Sequence, residues 1–388
     1  MASAGKTQSP RTMSEELAYP PKTTNPPTSV SFQKPSLLLT FSYNESHELE
    51  FTNSSLRYYV QPPKNADLNY GYDRWKQRAD DKGRIDSLLR AISKNRSNLD
   101  ASGKDGRSWL QNIDIVSWRG VITKILTSPY EKWNSFELNV MFHDGTMYFE
   151  EFISNQRQLE YINMPPRQRR PMYYGFAFES YCTSTSPKPS HAKGGWGGDV
   201  DNHIQWCNVV ETKLGDTKIL IGGEVDCVRG KYTGTTDNFV ELKTSLTIHG
   251  PWDESRFEKK LLKFYFQSFL LGVPEIVVGF RTRKGRLSTL QTFKTADLPG
   301  LVRDKPGGWN PLICLHWGTC FIDFLKSIVT SHSPSATNDI PVWRVSFTPQ
   351  KGVSISLLSQ EGVEEVVNGE DRVGFLPKWY FDEITTKS

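Results

Sequence analysis

The chain lacks long apolar runs and a cysteine framework. No uninterrupted apolar run is long enough to span a bilayer, and the first residues, MASAGKTQSPRTMSEEL, have no apolar centre of the kind found in signal peptides. We therefore expect an intracellular protein without membrane partners. The five cysteines are odd in number and show no C-x-x-C spacing, which argues against a disulfide framework and against a zinc motif.

A strong charge of one sign is also missing. The 388 residues include 47 Lys and Arg against 43 Asp and Glu, giving a formal net charge of +4. A charge this small does not attract nucleic acid by itself, so RNA affinity would have to come from local basic patches or from metal ions. The basic runs at residues 167–170 and 281–286 are candidates for such patches, although solvated linkers fit them at least as well.

Composition divides the chain once, near residue 35. Residues 1–35 are rich in Pro, Ser, Thr and Lys with little apolar content, which predicts a disordered N-terminal tail. No Pro-rich or Gly-rich linker divides residues 36–388, so we expect a single domain there.

The most informative stretch is residues 219–244, in which two short apolar runs flank a polar turn that contains glycine. Glu224 and Asp226 stand two apart in the first run, and Glu241 and Lys243 stand two apart in the second. Because side chains alternate between the faces of a strand, each pair is expected to project from one face. Pairing the two runs as a hairpin would bring three carboxylates and one ammonium group together.

Carboxylates within apolar strands are costly to bury unless a cation accompanies them. Mg²⁺ and Mn²⁺ prefer oxygen ligands and are typically held by a few carboxylates together with phosphate oxygens of a substrate. The pattern therefore favours a phosphoryl-transfer site. The alternative is a solvated sheet face with surface ion pairs, which either pair of residues alone would fit.

Three further positions carry polar side chains beside apolar segments. Glu179 is the only charge in residues 172–182, MYYGFAFESYC, a stretch whose periodicity fits a short strand or a buried helix. Arg119 stands where a strand-like run ends and a short helix begins, so it suits a phosphate clamp or an ordinary ion pair. Gln267 lies on a helix predicted to end at Gly272, where by pattern alone it extends the wet face.

The acids and the lysine resemble the core motif of the metal-dependent nuclease superfamily, an Asp followed on the next strand by (Asp/Glu)-x-Lys. More narrowly, Glu-Val-Asp at 224–226, Glu-Leu-Lys at 241–243 and the upstream GFAFE are similar to the signatures of the decapping exoribonuclease (DXO) family. The resemblance covers roughly residues 37–388. It is strongest to the fungal nuclear member that partners the nuclear 5′ to 3′ exoribonuclease.

The resemblance implies an α+β fold, in which mixed β-sheets flanked by helices carry a metal-dependent nuclease-like core within one catalytic domain. A helix presents the upstream acid in that superfamily, so residues 172–182 are expected to be helical. The residues implied as ligands of one or two Mg²⁺ or Mn²⁺ ions are Glu179, Asp226, Glu241 and the main-chain carbonyl of Leu242. The residues implied in catalysis are Glu224 (through a bound water), Lys243 and Gln267, with Arg119 in contact with the substrate.

The activity implied by the resemblance is hydrolysis at RNA 5′ ends. Pyrophosphate would leave triphosphorylated RNA, and unmethylated or NAD caps would be removed, so that 5′-monophosphate RNA is made for a 5′ to 3′ exoribonuclease. This role implies RNA quality control in the nucleus. Two alternatives stay open: a 5′ to 3′ exoribonuclease on the same metal site, and a mainly non-catalytic stabilising subunit of the nuclear exoribonuclease.

Overall fold

The computed structural model describes residues 14–19, 29–78, 84–101, 109–187, 196–331 and 340–386. In these ranges two large mixed sheets, a two-stranded ribbon and nine α-helices confirm the predicted α+β class. The strands are β1 (Ser14–Ala18), β2 (Ser36–Tyr43), β3 (Leu49–Glu50), β4 (Tyr58–Tyr59), β5 (Ile115–Trp118), β6 (Phe136–His143), β7 (Thr146–Phe152), β8 (Thr183–Ser184), β9 (Gln205–Leu214), β10 (Thr217–Glu224), β11 (Cys227–Val228), β12 (Phe239–Leu246), β13 (Glu275–Arg281), β14 (Leu287–Lys294), β15 (Val342–Thr348), β16 (Gly352–Leu357), β17 (Arg372–Val373) and β18 (Leu376–Pro377). The helices are α1 (Asp86–Ala101), α2 (Arg119–Thr127), α3 (Asn155–Ile162), α4 (Pro166–Cys182), α5 (Pro251–Phe269), α6 (Leu298–Val302), α7 (Pro311–Ser331), α8 (Gln360–Val367) and α9 (Lys378–Thr385).

The larger sheet has ten strands in the order β1-β16-β15-β6-β7-β5-β10-β9-β2-β3. β5 runs parallel to β7 and to β10, whereas the other neighbours are antiparallel. β6 and β7 form a tight hairpin whose two turn residues, Asp144 and Gly145, have φ of 46° and 87°. Positive φ at both positions is what a two-residue type I′ turn requires, and Asp-Gly supplies it at low cost.

The smaller sheet has six strands in the order β14-β13-β12-β11-β4-β8. β12 and β13 are parallel, with Glu241 opposite Ile276 and Lys243 opposite Val278. α4 packs on one face of this sheet, where Phe178 lies so close to Gly279 that a methyl group there would come within 2.5 Å of the ring. Residues 172–182 therefore form the helix that the resemblance implied, and Glu179 lies in its last turn.

Three helices fill the space between the two sheets. α2, α5 and α7 join residues of both sheets in one continuous apolar core, while α1 and α9 pack on the outer face of the larger sheet. α7 is the one helix in the described ranges that is long and apolar enough to cross a membrane, and Phe321 and Leu325 bury its apolar side in this core. Core burial therefore accounts for its composition.

The hairpin predicted for residues 219–244 is wrong in its partners. β10 ends at Glu224 and pairs with β9 and β5 of the larger sheet, and only Cys227 and Val228 pair with β12. The chain crosses between the sheets at Val225, whose N–H donates to the carbonyl of Trp206. The hairpins β6–β7 and β15–β16 lie in the same sheet as β10, whereas β12 lies in the smaller sheet. Alternation reports which face of a strand is buried but not which strand lies beside it.

The tail prediction for residues 1–35 is wrong where Ser14–Ala18 form β1. This strand pairs antiparallel with β16 at the edge of the larger sheet. The hydroxyl of Tyr19 then donates to the carbonyl of Pro129 at 2.6 Å. Backbone pairing at a sheet edge needs little apolar content, so composition gave no sign of it. Residues 1–13 and 20–28 lie outside the described residues.

Candidate metal centre

The crossing between the two sheets forms one wall of a cavity of about 260 Å³. Five of the predicted site residues line this cavity: Arg119, Glu179, Glu224, Asp226 and Lys243. Arg119 begins α2 directly after β5, as its sequence position predicted. The larger sheet thus brings Arg119 and Glu224 to the cavity, whereas α4 and the smaller sheet bring Glu179 and Lys243.

Glu241 is fully buried and holds the two cations of the site. One of its oxygens accepts a hydrogen bond from Nη1 of Arg119 at 3.2 Å, and the other accepts one from Nζ of Lys243 at 2.5 Å. Burial alone would raise the pKa of Glu241, but Lys243 and Arg119 hold it below its ordinary value. Glu241 is therefore an anion at neutral pH, and it connects the two sheets through Arg119.

Asp226 immediately precedes β11 and reaches the edge of β12. Its Oδ2 accepts a hydrogen bond from the backbone N–H of Leu242 at 2.6 Å. In a strand, the N–H and C=O of one residue point toward the same edge, and Val240, two residues earlier, pairs with β11 at that edge. The carbonyl of Leu242 therefore points toward Asp226 and away from β13, which is the orientation that a metal ligand needs.

Glu179 has no hydrogen-bond or ion-pair partner among the residues that the structure describes. Burial, with the nearby charges of Asp226 and Glu224, raises the pKa of Glu179 well above its ordinary value. Burial and the charge of Glu241 likewise raise the pKa of Asp226 to about 7. Carboxylates in such surroundings are stabilised by a proton or by an added cation.

Glu224 is held by a polar chain that the sequence did not reveal. Nε2 of Gln205 donates to Glu224 at 2.9 Å, and Nη1 of Arg78 donates to Oε1 of Gln205 at 2.7 Å. Gln205 begins β9, which pairs with β10 and so lies beside the acid. A single Gln and a single Arg belong to no local motif, and only the β9–β10 hairpin register could have indicated Gln205 in advance.

The donor set fits a hard divalent cation. As the side chains stand, no three Asp, Glu, His or Cys side chains in the described ranges lie close enough together to hold a metal ion. Both oxygens of Glu241 are engaged by cations, but Glu179 lacks a partner and its pKa is raised by Asp226 in the same cavity. Mg²⁺ or Mn²⁺ would relieve this repulsion with the oxygen ligands it prefers. Glu179, Asp226, Glu241 and the carbonyl of Leu242 are the groups that would hold it.

No hydrogen bond or ion pair among the described residues connects Gln267 to the other predicted site residues. It is half-buried on α5 and is not among the described residues that line the cavity. Leu271, four residues further on, packs against Gly223 beside Arg119. Because α5 ends at Phe269, Leu271 lies beyond the helix, and its contact does not place the Gln267 side chain at the site. Its catalytic role therefore stays a prediction.

Gly223 gives a first test of how tightly the site is packed. A methyl group at Gly223 would lie 2.8 Å from Cδ1 of Leu271 and 3.0 Å from Cβ of Arg119. Gly223→Ala is therefore expected to lower the free energy of unfolding by about 1–3 kcal/mol, measured by urea denaturation. Gly120→Ala is the matched control, because nothing lies within 4 Å of the added methyl group. Equal stability of the two variants would contradict the packing argument.

Comparison with known proteins identifies the family to which the chain belongs. The family described as RAI1 like PD-(D/E)XK nuclease matches residues 33–381. The Mycosarcoma maydis protein named Decapping nuclease RAI1 is 34% identical, over 93% of this chain and 89% of that protein. The Mus musculus protein named Decapping and exoribonuclease protein is also 34% identical, over 91% of this chain and 86% of that protein.

Among solved structures, Candida albicans Rai1 in complex with pU5-Mn2+ superposes with a TM-score of 0.82. The match covers 97% of this chain and 100% of that chain at 23% identity, and it shows the shared fold. Because the family match spans most of the sequence and the two relatives align along most of their length, this chain belongs to the RAI1-like PD-(D/E)XK nuclease family.

Proposed function

We propose that this protein is a metal-dependent hydrolase that removes pyrophosphate or an incomplete cap from RNA 5′ ends and leaves a 5′-monophosphate. The observation that carries the proposal is the cavity in which neither Glu179 nor Asp226 forms an ion pair with a described residue, while Lys243 is held at its wall by Glu241. Unmethylated caps and NAD caps are included because both contain a phosphoanhydride bond with the same chemistry.

The residues divide the work of hydrolysis between them. Glu179, Asp226, Glu241 and the carbonyl of Leu242 would bind Mg²⁺ or Mn²⁺, which supplies activation of water and neutralisation of phosphate charge. The ammonium of Lys243 is held at 2.5 Å from Glu241, where it can stabilise negative charge that develops on a phosphoryl oxygen. Arg119 offers a second guanidinium nitrogen to a phosphate while its Nη1 stays on Glu241.

Glu224 would act as a positioning carboxylate. Gln205 fixes one of its oxygens, so the other is free to orient a water molecule in the cavity. Burial raises the pKa of Glu224 above its ordinary value. Gln267 is assigned by family resemblance to the same task of orienting the attacking water.

The relatives support the substrate class. The Mycosarcoma maydis relative is named as a decapping nuclease, and the Candida albicans structure holds pU5 with Mn2+. Because a 5′-monophosphate end is what a 5′ to 3′ exoribonuclease requires, we further propose that the nuclear 5′ to 3′ exoribonuclease is the partner. The site of action would then be the nucleus, in RNA quality control.

The deciding experiment is incubation with 5′-triphosphorylated RNA and Mn²⁺. Pyrophosphate and 5′-monophosphorylated RNA are expected in equal amounts, because one phosphoanhydride bond is broken per turnover. EDTA is expected to abolish the reaction and added Mn²⁺ or Mg²⁺ to restore it. Release of single phosphate groups, or turnover that persists in EDTA, would overturn the proposal.

A second candidate function is 5′ to 3′ exoribonuclease activity on the same site, which the name of the Mus musculus relative favours. Degradation of 5′-monophosphorylated RNA to nucleotides would support it. The remaining alternative, a non-catalytic stabilising subunit, predicts that Glu224→Ala with Asp226→Ala leaves stimulation of the nuclear exoribonuclease intact and that the wild-type protein hydrolyses no 5′ end.

A further inference from the structure

A second cavity, of about 430 Å³, lies beside the catalytic one. Its walls combine two aromatic rings, Trp75 and Tyr161, two methionines, Met164 and Met172, and two arginines, Arg78 and Arg169. We call this cavity the side groove. Its size falls within the range of small-ligand sites, which are mostly apolar with a few polar groups. None of the described residues that line it is acidic.

The side groove and the catalytic cavity share a wall. Nε1 of Trp75 donates to Oδ1 of Asn202, which lines the catalytic cavity, at 2.5 Å. Arg78, in the groove, donates to Gln205, and Gln205 donates to Glu224. The two cavities are therefore adjacent and are separated at this wall by one layer of side chains.

Apolar surface in the groove is left open to solvent. Tyr161 is 46% exposed and Ile162 is 60% exposed, although both are large and apolar. They stand on α3, which buries none of its residues. Exposed apolar surface that is concentrated at one end of a helix, rather than scattered, is typical of a site that a ligand covers.

The positive charge of the side groove favours an anionic ligand. Arg57 lines the catalytic cavity, and Arg78 and Arg169 follow in the groove, so cations continue outward from the metal centre. Arg169 donates to the backbone carbonyl of Ile162, which fixes the guanidinium without neutralising it. The leaving part of a cap carries its phosphates only next to the bond that is cut, whereas the body of an RNA carries one phosphate at every nucleotide.

We propose that the side groove binds the single-stranded body of the RNA, with a base against Tyr161 and Trp75 and a backbone phosphate at Arg169. This inference rests on the proposed function and names where its substrate lies beyond the metal centre. Aromatic stacking is tolerant of base identity, and arginine contacts to phosphate do not depend on sequence. The groove therefore selects RNA by length rather than by sequence.

The test compares two substrates and two pairs of variants. Tyr161→Ala and Arg169→Ala are assayed on a 5′-triphosphorylated decanucleotide and on a 5′-triphosphorylated dinucleotide, with Trp133→Ala and Arg303→Ala as controls. Trp133 and Arg303 are exposed and lie outside the groove. For the decanucleotide, KM is expected to rise about 5- to 30-fold in each groove variant. KM for the dinucleotide and kcat for both substrates are expected to stay within about twofold of wild type, because a uniform binding contact changes KM alone.

Salt dependence gives a readout that a merely structural role would not move. Loss of one phosphate contact is expected to reduce the slope of log affinity against log salt by about 0.7 for Arg169→Ala and to leave it unchanged for Tyr161→Ala. Affinity is measured by fluorescence anisotropy of a 5′-monophosphorylated decanucleotide in Ca²⁺. This binding arm still tests the groove if wild-type protein hydrolyses neither substrate, an outcome that would reject the proposed function alone.

Decanucleotide KM and affinity that match wild type in both groove variants, with native unfolding curves, would overturn the inference. So would variants that bind RNA normally but lose binding to the nuclear exoribonuclease, because the groove would then be a protein-docking surface.

Discussion

Asp226→Asn is expected to lower hydrolysis at RNA 5′ ends by at least about 1000-fold, as removal of a metal-binding or charge-stabilising group does, and at the same time to stabilise the metal-free protein at pH 8. Asn keeps the shape of the side chain and the hydrogen bond from Leu242 to its oxygen. What it removes is the negative charge, which a bound metal requires and which burial beside other acids disfavours.

The sign of the stability change follows from the raised pKa of Asp226. Its value of about 7 in the folded protein lies above the ordinary value of 3.8, so the folded state holds a proton that the unfolded chain releases. The contribution of this carboxyl group to folding stability is fully present below about pH 4 and is lost as the pH rises through 7. The Asn variant avoids that loss, and since one pKa unit corresponds to about 1.4 kcal/mol, we expect it to gain about 4 kcal/mol over wild type at pH 8 and almost nothing at pH 4.

Urea denaturation in EDTA at the two pH values measures this gain. Asp199→Asn is the control, because hydrogen bonds from Arg74 lower the pKa of Asp199 and removal of that charge should not stabilise. Mn²⁺ is expected to raise the Tm of wild type at pH 8 and not that of Asp226→Asn. Equal stability of wild type and Asp226→Asn at pH 8 would contradict the buried, cation-deficient environment assigned to this carboxyl group.

Glu241→Gln is expected to have the opposite effect on stability, although it also abolishes activity. Glu241 is fully buried between Arg119 and Lys243, whose side chains are only 15% and 22% exposed. A neutral amide leaves these two nearly buried cations without the carboxylate that both of them contact. Breaking a buried pair in this way costs about 3 kcal/mol or more, so Tm is expected to fall by several degrees at pH 7.

The pKa of Glu241 gives this prediction its pH dependence. Because Lys243 and Arg119 hold the pKa of Glu241 below the ordinary value, the stability it supplies is present above about pH 4.5 and is lost as pH falls further. The difference between wild type and Glu241→Gln should therefore shrink in acid. A constant difference from pH 3 to pH 8 would show that the loss arises from packing and not from charge.

Glu258→Gln separates folding from chemistry. Glu258 is a buried acid of α5 that accepts a hydrogen bond from the N–H of Gly307 and pairs with Lys305, away from the cavity. We expect Glu258→Gln to lose stability like Glu241→Gln but to keep its rate of hydrolysis per folded molecule. Equal activity of the two variants would show that Glu241 has no role in hydrolysis.

Much of the site could be predicted from short-range spacing. Glu241 and Lys243 share one face of β12 because residues two apart in a strand always do. Glu179 could be singled out as a lone charge in an apolar segment, and Arg119 as the residue between a strand and a helix. Each of these inferences uses only a few neighbouring residues.

The features that could not be predicted depend on which distant segments of the chain lie beside each other in the fold. β10 is buried on both faces, with Leu220 in one core and Ile219 in another, so its apolar run is typical of any central strand. Nothing in that run states that the chain changes sheets at Val225. For the same reason Gln205 and Arg78 were missed, because they matter only through the acid that the β9–β10 pairing places beside them.

The passage of the chain from one sheet to the other at Val225 has a mechanical consequence. The carboxylates that precede and follow Val225 belong to different sheets. The ion pair between Arg119 and Glu241 connects those two sheets. A core substitution that changes the separation of the two sheets is expected to alter the distances among the metal-binding residues, even when the substitution is far from the cavity. A change in the separation of the two sheets is therefore expected to lower the rate of hydrolysis before global unfolding becomes measurable.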